Sequence, residues 1–151
     1  ILEERHVPYV INQYRYNLLD RSIERDGTKA ASAELGRGII TFSPLAQGLL
    51  TDRYLDGVPA DSRMAHDPRY LKRSALTGEV HDRLVRLNEI AQARSQTLAE
   101  MALAWQLRDP AITSVLIGAS RSEQVLDNIH ALENRAFSAD ELAAIDEACL
   151  S

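Results

Sequence analysis

Small and polar residues follow three short apolar runs of the chain, and the last group is suited to binding an anion. Gly118-Ala119-Ser120-Arg121 comes directly after the run at 113–117 and leads into a helical pattern. Gly118 and Ala119 would let a ligand approach the backbone closely. The free N–H groups and dipole of a following helix attract anions, and a hydroxyl and a guanidinium suit a phosphate. These residues predict a phosphate site, with helix capping by Ser120 as the alternative that needs no ligand.

The residues that follow the other two apolar runs include an aromatic ring and side-chain amides. Phe42-Ser43-Pro44-Leu45-Ala46-Gln47-Gly48 follows the run that begins at Gly38, and Phe42 could stack on a flat ring or simply belong to the core. Asn12-Gln13 follows the run Val10-Ile11. In barrels of parallel strands, phosphate sites are frequently built from the loops after the last two strands and a helix N-terminus. The residues alone therefore predict a phosphate-bearing ligand, and they offer no catalyst.

These groups require strands that alternate with helices. Runs rich in β-branched residues predict strands at 10–13, 38–43 and 113–117, and helical spacing predicts helices at 25–35, from 80, from 97, from 120 and from 138. Patterns typical of capping boxes start at Thr97, Ser120 and Ser138. Between about residues 44 and 78 there is little periodicity, which predicts a lid or binding loop, or else a tolerated surface insertion.

This order of elements predicts an α/β fold with a parallel sheet, in which ligands bind at the carboxyl ends of the strands. Three βα units cannot close a barrel, which needs about eight units. The first six residues also resemble the last turn of a helix already under way. We therefore expect that an upstream part of the protein is missing from this sequence.

Composition excludes several classes of function. The net charge of −5 argues against nucleic-acid binding, and no apolar run approaches the length of a membrane span. The single cysteine, Cys149, excludes an internal disulfide, fits a cytoplasmic protein and is expected to pack in the core. The four histidines show no metal-ligand spacing, and the common nucleophile and nucleotide-loop motifs are absent from the sequence.

The ordered set of motifs resembles the aldo-keto reductase superfamily. It consists of Asn12-Gln13 with Tyr16-Asn17, the stretch from Phe42 to Thr51, Ser62-Arg63, and Ile117-Gly118-Ala119-Ser120 with Glu123-Gln124 and Asn128. The similarity covers essentially the whole chain and is greatest to the branch of potassium-channel β subunits and bacterial glyceraldehyde-3-phosphate reductases. It implies that residues 1–151 form the C-terminal portion, about three βα units, of a (β/α)8 TIM barrel.

The resemblance also implies which residues bind NADP. Gln13 would bind the nicotinamide carboxamide, Phe42 would stack on the nicotinamide ring, and the long loop would cover the cofactor. The other residues implied are Ser43, Pro44, Leu45, Ala46 and Gln47 at the pyrophosphate, Arg53, Asp61 and Arg63 in the long loop, Gly118, Ser120 and Gln124 at the adenosine phosphate, and Asp127 and Asn128 at the adenine.

Two positions depart from the family pattern, and the catalytic residues are not in this chain. Asp52-Arg53 stands where the family commonly has Gly-Lys, and Arg53 keeps the charge without the lysine geometry. Asp127 stands where the family often has Glu. The family's catalytic Asp, Tyr, Lys and His lie on earlier strands, and neither Tyr14 nor Tyr16 matches that Tyr.

The expected function is NADP(H)-dependent reduction of small aldehydes or ketones to alcohols by hydride transfer, with this chain carrying the cofactor-binding half. Two alternatives stay open: a non-catalytic NADP-binding regulatory subunit, and an inactive truncated fragment. The sequence leaves the substrate, the choice between NADP and NAD, and homo-oligomer formation undetermined.

Overall fold

The computed structural model describes residues 4–60, 63–66 and 73–150, and it contains a small sheet and seven helices within those ranges. The strands are β1 (Ile11–Arg15), β2 (Gly38–Phe42) and β3 (Ile112–Val115). The helices are α1 (Ser22–Arg25), α2 (Thr28–Glu34), α3 (Arg63–His66), α4 (Gly78–Ala93), α5 (Leu98–Leu107), α6 (Ser122–His130) and α7 (Ala139–Leu150). Strands therefore alternate with helices, as predicted.

The three strands form one parallel sheet in the order β1-β2-β3. Gln13 of β1 pairs with Ile40 of β2, and Ile40 pairs in turn with Ser114 of β3. The register between β2 and β3 shifts between Ile39 and Ile40, where the β3 side carries one additional residue, Thr113. The α/β class and the parallel sheet predicted from the sequence are confirmed.

The two faces of the sheet differ in their cover. Ile39 and Thr41 of β2 are completely buried on the face that carries the helices. Because strand side chains alternate between faces, Gly38, Ile40 and Phe42 lie on the opposite face, where Phe42 is 37% exposed. We call this second face the open face. In a β/α barrel, the face of the sheet that carries no helices lines the barrel interior.

Gly38 lies on the open face where there is no room for a side chain. A methyl group at this position would stand 2.6 Å from the Thr113 hydroxyl oxygen and 3.1 Å from Ile11. We expect Gly38→Ala to lower the free energy of unfolding by about 1–2 kcal/mol, near the lower end for overpacking, because the Thr113 hydroxyl can rotate away. Urea unfolding tests this, with Gly78→Ala as the control, since nothing lies near that position. Equal stability losses in both variants would contradict the prediction.

The core is concentrated between α4, α5, α7 and the covered face of the sheet. Helix α5 is buried nearly all round, with Trp105 at 0% exposure, and α4 contributes Leu84 and Leu87. Helix α7 contributes Ile145 and Cys149. The packing role predicted for Cys149 is confirmed, and burial raises the pKa of its thiol to about 11.

The capping residues in the sequence predicted two helix starts correctly, whereas one predicted helix differs from the structure. Thr97 and Ser138 form the predicted capping boxes with Glu100 and Glu141. The helix predicted at 25–35 is instead two helices, because Gly27 adopts a left-handed φ of 81° between α1 and α2.

Strand boundaries also differ from the predictions. β1 extends to Arg15, so Asn12 and Gln13 lie within the strand rather than after it. β3 spans Ile112–Val115 and ends before Ile117, although Leu116 N–H still donates to Thr41 O at 2.8 Å. Among the first residues, 4–6 form a turn, and residues 1–3 lie outside the described part.

The long segment between β2 and α4 is better packed than its sequence indicated. Tyr54 and Met64 are each 2% exposed and belong to the main core, and short helical turns occupy much of the described part. The His81 Nε2 atom lies 2.7 Å from Leu55 O and ties the segment to α4. Apolar side chains at irregular spacing therefore anchor the described residues of this segment in the core, and its role as a lid or binding loop stays a prediction.

Candidate ligand-binding site

The carboxyl ends of the three strands lie side by side, so the loops that follow them share one edge of the sheet. Tyr16 N–H, just after β1, donates to Phe42 O at 3.4 Å, and Leu116, just after β3, bonds to β2 at Thr41. Arg15 pairs in register with Phe42 at the end of the sheet. The parallel sheet predicted from the sequence thus brings the three strand ends to one edge.

The loop after β2 contains an unusual run of left-handed residues. The φ angles are 54° at Ser43, 48° at Ala46, 62° at Gln47 and 98° at Gly48. Only Gly48 adopts such angles without a steric cost, and residues held in sparsely populated conformations concentrate at functional sites. The strained loop therefore strengthens the assignment of a ligand site at this edge.

Buried amide side chains fix the first residues of this loop. Asn17 Nδ2 donates to Ser43 O at 2.9 Å, and Gln106 Nε2 donates to Pro44 O at 3.3 Å. Gln106 Oε1 in turn accepts the Thr41 hydroxyl at 2.8 Å. Asn17 was predicted only as part of a motif, and no role was predicted for Gln106. The signal for Gln106 was its position as a polar residue in the otherwise apolar face of α5.

Three donors converge on one oxygen at the start of α6. Gln124 Oε1 accepts from Ser120 N–H at 2.8 Å, from the Ser120 hydroxyl at 3.1 Å and from Arg121 N–H at 3.3 Å. Ser120 therefore does not cap the helix as an acceptor, which corrects the predicted capping box there. The Gln124 oxygen thus occupies the position that a phosphate oxygen takes among the donors of a helix N-terminus.

The surroundings of this turn leave room for a ligand. A Cβ atom added at Gly118 would meet nothing within 4 Å. Gly118, Ser120 and Arg121 are all exposed, whereas Gln124 is half-buried. The turn thus combines open space with convergent donors, which fits a phosphate group.

The other predicted site residues divide into those on the open face and those that pack elsewhere. Gln13 lies in the middle of β1 and is exposed, and Phe42 ends β2 on the same side of the sheet. The Leu45 and Ala46 side chains pack against the core, so only their backbone atoms could meet a ligand. Pro44 is buried, and Gln47 is exposed.

The residues predicted further along the chain are less closely grouped. Arg53 is exposed on a short helical turn, and on α6 Asp127 is exposed while Asn128 is half-buried. Asp61 lies outside the described residues. Arg63 begins α3, but its side chain lies outside the described part. The structure thus leaves the predicted roles of Asp61 and Arg63 as predictions.

A second charged group lies on the helix side of the sheet. Glu24 accepts hydrogen bonds from the Tyr16 hydroxyl, from Arg21 Nε at 2.8 Å and from Lys29 Nζ at 3.0 Å. Burial alone would raise the pKa of Glu24, but these bonds outweigh it and hold the pKa below its ordinary value. Lys29 also bonds to Asp109 at 2.6 Å.

A cleft of about 460 Å³ opens beside this charged group, away from the strand ends. Arg21, Glu24, Lys29 and Asp109 all line it. Because these side chains satisfy one another within the protein, the cleft needs no ligand to explain its charges. We therefore place the candidate site at the carboxyl ends of the strands, where the donors grouped around Gln124 lie on an exposed turn with open space beside Gly118.

Two further features are absent from the described part of the chain. None of its helices has both the length and the apolar character needed to cross a lipid bilayer. Within the same residues, no group of three His, Cys, Asp or Glu side chains is arranged to hold a metal ion.

Comparisons with known proteins agree with this geometry. The model of the "Aldo/keto reductase family" matches residues 1–149. L-glyceraldehyde 3-phosphate reductase of Escherichia coli (strain K12) is 48% identical over 150 residues, which are 97% of this chain and 43% of the relative's length. A protein of Oryza sativa subsp. japonica, named "Probable voltage-gated potassium channel subunit beta", is 33% identical over 126 residues, which are 82% of this chain and 38% of that protein.

The chain also resembles a solved structure. A thermostable aldo-keto reductase in complex with the inhibitor epalrestat superposes with a TM-score of 0.69 at 24% identity, covering 97% of this chain and 42% of that one. At that level of identity the likeness shows the fold alone. The chain spans less than half the length of each of these proteins, in agreement with a portion of a β/α barrel.

Proposed function

The chain belongs to the aldo/keto reductase family, and from this premise we propose that the protein reduces small aldehydes or ketones to alcohols with NADPH. The observation that carries the proposal is the convergence of three donors on one oxygen at the start of α6, next to the strand ends. Such a turn suits the phosphate of a dinucleotide. The name of the Escherichia coli relative adds L-glyceraldehyde 3-phosphate to the candidate substrates.

The residues present fit a dinucleotide along the edge of the sheet. Gly118, Ser120 and Gln124 would hold the adenosine phosphate, while Asp127 and Asn128 would bind the adenine. The loop residues Ser43, Pro44, Leu45, Ala46 and Gln47 would line the diphosphate. Phe42 offers an exposed ring for stacking on the nicotinamide, and Gln13 offers an amide for its carboxamide on the same open face.

The chemistry divides between the cofactor and groups outside this chain. A bound reduced nicotinamide would supply a hydride to the carbonyl carbon of the substrate. The carbonyl oxygen then needs a proton donor. Tyr16 is unsuited to that role because it is completely buried, its hydroxyl donates to Glu24, and burial raises its pKa. We therefore propose that the acid, with its Asp, Lys and His partners, is supplied by residues before this chain.

The segment at about 44–78 would cover the bound cofactor. Arg53 and Arg63 bring positive charge to it, and Asp61 would belong to the same cover. With Arg121 at the start of α6, Arg63 supports NADP over NAD, since the additional phosphate of NADP favours nearby guanidinium groups. A cytoplasmic location and a homo-oligomer are compatible with this proposal.

Gln124 offers the most direct test of the cofactor site. Gln124→Ala removes the oxygen that organises the Ser120 and Arg121 donors, so we expect the KM for NADPH to rise about tenfold, or about 1.4 kcal/mol. The full-length gene product would be assayed by the loss of nicotinamide absorbance with a panel of small aldehydes that includes L-glyceraldehyde 3-phosphate.

The matched control is Gln92→Ala, which truncates an exposed glutamine on α4. This variant should keep the wild-type KM for NADPH. An unchanged KM in Gln124→Ala would contradict the assigned phosphate site. No turnover of any aldehyde by the wild-type protein would contradict the proposed reaction.

The similarity to a potassium-channel subunit favours one alternative, a nicotinamide-binding subunit without catalysis. The two functions differ in whether the full-length protein contains the Asp, Tyr, Lys and His set. The intact mass of the polypeptide from its native source distinguishes both of these functions from an inactive truncated product. A mass near 16.8 kDa would mean that this chain acts without an upstream half. A mass of roughly twice that would fit an eight-unit barrel.

A further inference from the structure

We propose that Asn17 and Gln106 are positioning residues of the cofactor site. Their buried side-chain amides hold the turn Ser43-Pro44-Leu45 so that the backbone N–H of Leu45 is directed at the cofactor diphosphate. This inference rests on the proposed function. Neither side chain would touch the cofactor, and each would act through the backbone of the turn.

Asn17 holds the first carbonyl of the turn. The residue is 2% exposed, and its Nδ2 donates to Ser43 O at 2.9 Å across 26 positions of sequence. Its Oδ1 accepts from Leu19 N–H at 3.0 Å and Asp20 N–H at 2.9 Å. Because its oxygen is fixed by two backbone donors, the Asn17 amide cannot rotate, and its NH2 group is aimed at Ser43.

Gln106 holds the second carbonyl in the same way. The residue is 0% exposed, and its Oε1 accepts the Thr41 hydroxyl at 2.8 Å. Its Nε2 donates to Pro44 O at 3.3 Å and to Ala102 O at 3.4 Å. Two buried amides from separate elements therefore hold two consecutive carbonyls of one turn.

These bonds determine where the next N–H points. In a trans peptide the C=O and the following N–H project in opposite directions, and the Pro44–Leu45 peptide is trans. Because Pro44 O is held toward the buried Gln106, Leu45 N–H is turned away from it. No residue in the described part of the chain accepts a hydrogen bond from Leu45 N–H.

The turn needs such support because its backbone is strained. Ser43 adopts a φ of 54°, and a non-glycine residue there persists only when its surroundings enforce it. Pro44 has no N–H of its own, so Leu45 supplies the first backbone donor after Ser43. A free N–H fixed before the ligand arrives saves the cost of ordering the loop on binding.

Asn17→Asp separates positioning from simple packing. The carboxylate keeps the shape and the two acceptor bonds to Leu19 and Asp20, but it cannot donate to Ser43 O. We expect the affinity for NADPH, measured by calorimetry on the full-length gene product, to fall about tenfold. The affinity for adenosine 2′,5′-bisphosphate should change by less than about twofold, because that ligand lacks the diphosphate.

Gln106→Met provides a second variant on the other side of the turn, and it removes all three side-chain hydrogen bonds of Gln106 at similar volume. The control is Gln96→Ala, which removes a buried amide that donates to Asn134 O at 3.2 Å and makes no bond to the turn. All variants would be compared by thermal unfolding. The control should lose stability and keep its affinity for NADPH.

The outcomes are distinguishable. Selective loss of NADPH affinity in Asn17→Asp and Gln106→Met supports the proposal. Unchanged affinity in both folded variants, or an equal loss for both ligands, would overturn it. Failure of both variants to fold would also overturn it, since these amides would then serve the fold itself. If the wild-type protein binds neither ligand, the proposed function fails first.

Discussion

Replacing Trp105 by alanine is expected to lower the free energy of unfolding by about 3–5 kcal/mol, the usual range for a fully buried tryptophan. The indole is 0% exposed and stacks at 5.2 Å, centroid to centroid, on Tyr16. The guanidinium groups of Arg21 and Arg108 lie 5.0 and 4.3 Å from the same ring. Truncation thus leaves a cavity at the junction of β1, α1 and α5. Urea unfolding followed by circular dichroism measures the loss.

Trp105→Phe provides the matched control. The indole Nε1 atom is buried without a hydrogen-bond partner. Its removal in the phenylalanine variant therefore leaves no other polar group without a partner. It also keeps an aromatic ring against Tyr16 and the two arginines. We expect this variant to lose less than half of what alanine loses. Equal losses in the two variants would contradict this prediction, because phenylalanine retains most of the volume and ring contacts that alanine removes.

Removing Glu24 is expected to have the second largest effect. Glu24→Ala leaves the buried Tyr16 hydroxyl without an acceptor and takes one carboxylate from both Arg21 and Lys29. Arg21 still bonds to Asp146, and Lys29 still bonds to Asp109. We therefore expect the free energy of unfolding to fall by about 2–4 kcal/mol, which is less than the cost of leaving two buried charges unpaired. Urea unfolding at neutral pH tests this value.

The same carboxylate should make stability depend on pH. The pKa of Glu24 is lower in the folded than in the unfolded protein, so the unfolded state takes up its proton first as pH falls. Its contribution is fully present above the unfolded pKa of about 4.3 and is lost as pH falls through the lower folded value. The slope is at most about 1.4 kcal/mol per pH unit for one such group.

The acid limb of a stability profile from pH 7 to pH 3 should therefore be shallower in Glu24→Ala than in the wild type. Part of the pH dependence of stability should remain in this variant, because the pKa of Asp109 is also lowered. Burial opposes that shift, but hydrogen bonds from Lys29 and Ala111 outweigh it. Glu79→Ala is the control, since it removes an exposed partner of Arg83. A wild-type slope in Glu24→Ala would disprove the assigned linkage.

Sequence reasoning identified features that depend on near neighbours. The Thr97 capping box needs only residues 97–100, and the parallel sheet follows from strands separated by helices. The parallel sheet in turn placed the candidate site at the carboxyl ends of the strands, and the family resemblance added roles for individual residues. Phe42 does end its strand at that edge in the structure, whereas Gln13 lies two residues before the end of β1 on the same face.

The parts that escaped prediction depend on distant contacts. The bond from Gln106 to Pro44 spans 62 positions, and the polar residue in an otherwise apolar helix face does not reveal which distant group it bonds to. Ser43 gives no sign of its left-handed conformation, because serine does not favour it. Gln124 was expected as a ligand contact, but its role in holding Ser120 and Arg121 appears only in three dimensions.

The position of Trp105 has a spectroscopic consequence. It is the single tryptophan of this sequence, and its neighbour Gln106 donates to the turn at Pro44. A buried indole emits at shorter wavelength than one in water, and its emission overlaps the absorption of a reduced nicotinamide. Intrinsic fluorescence of Trp105 would thus shift on unfolding and be quenched by energy transfer on cofactor binding, so one native residue reports both events without a label.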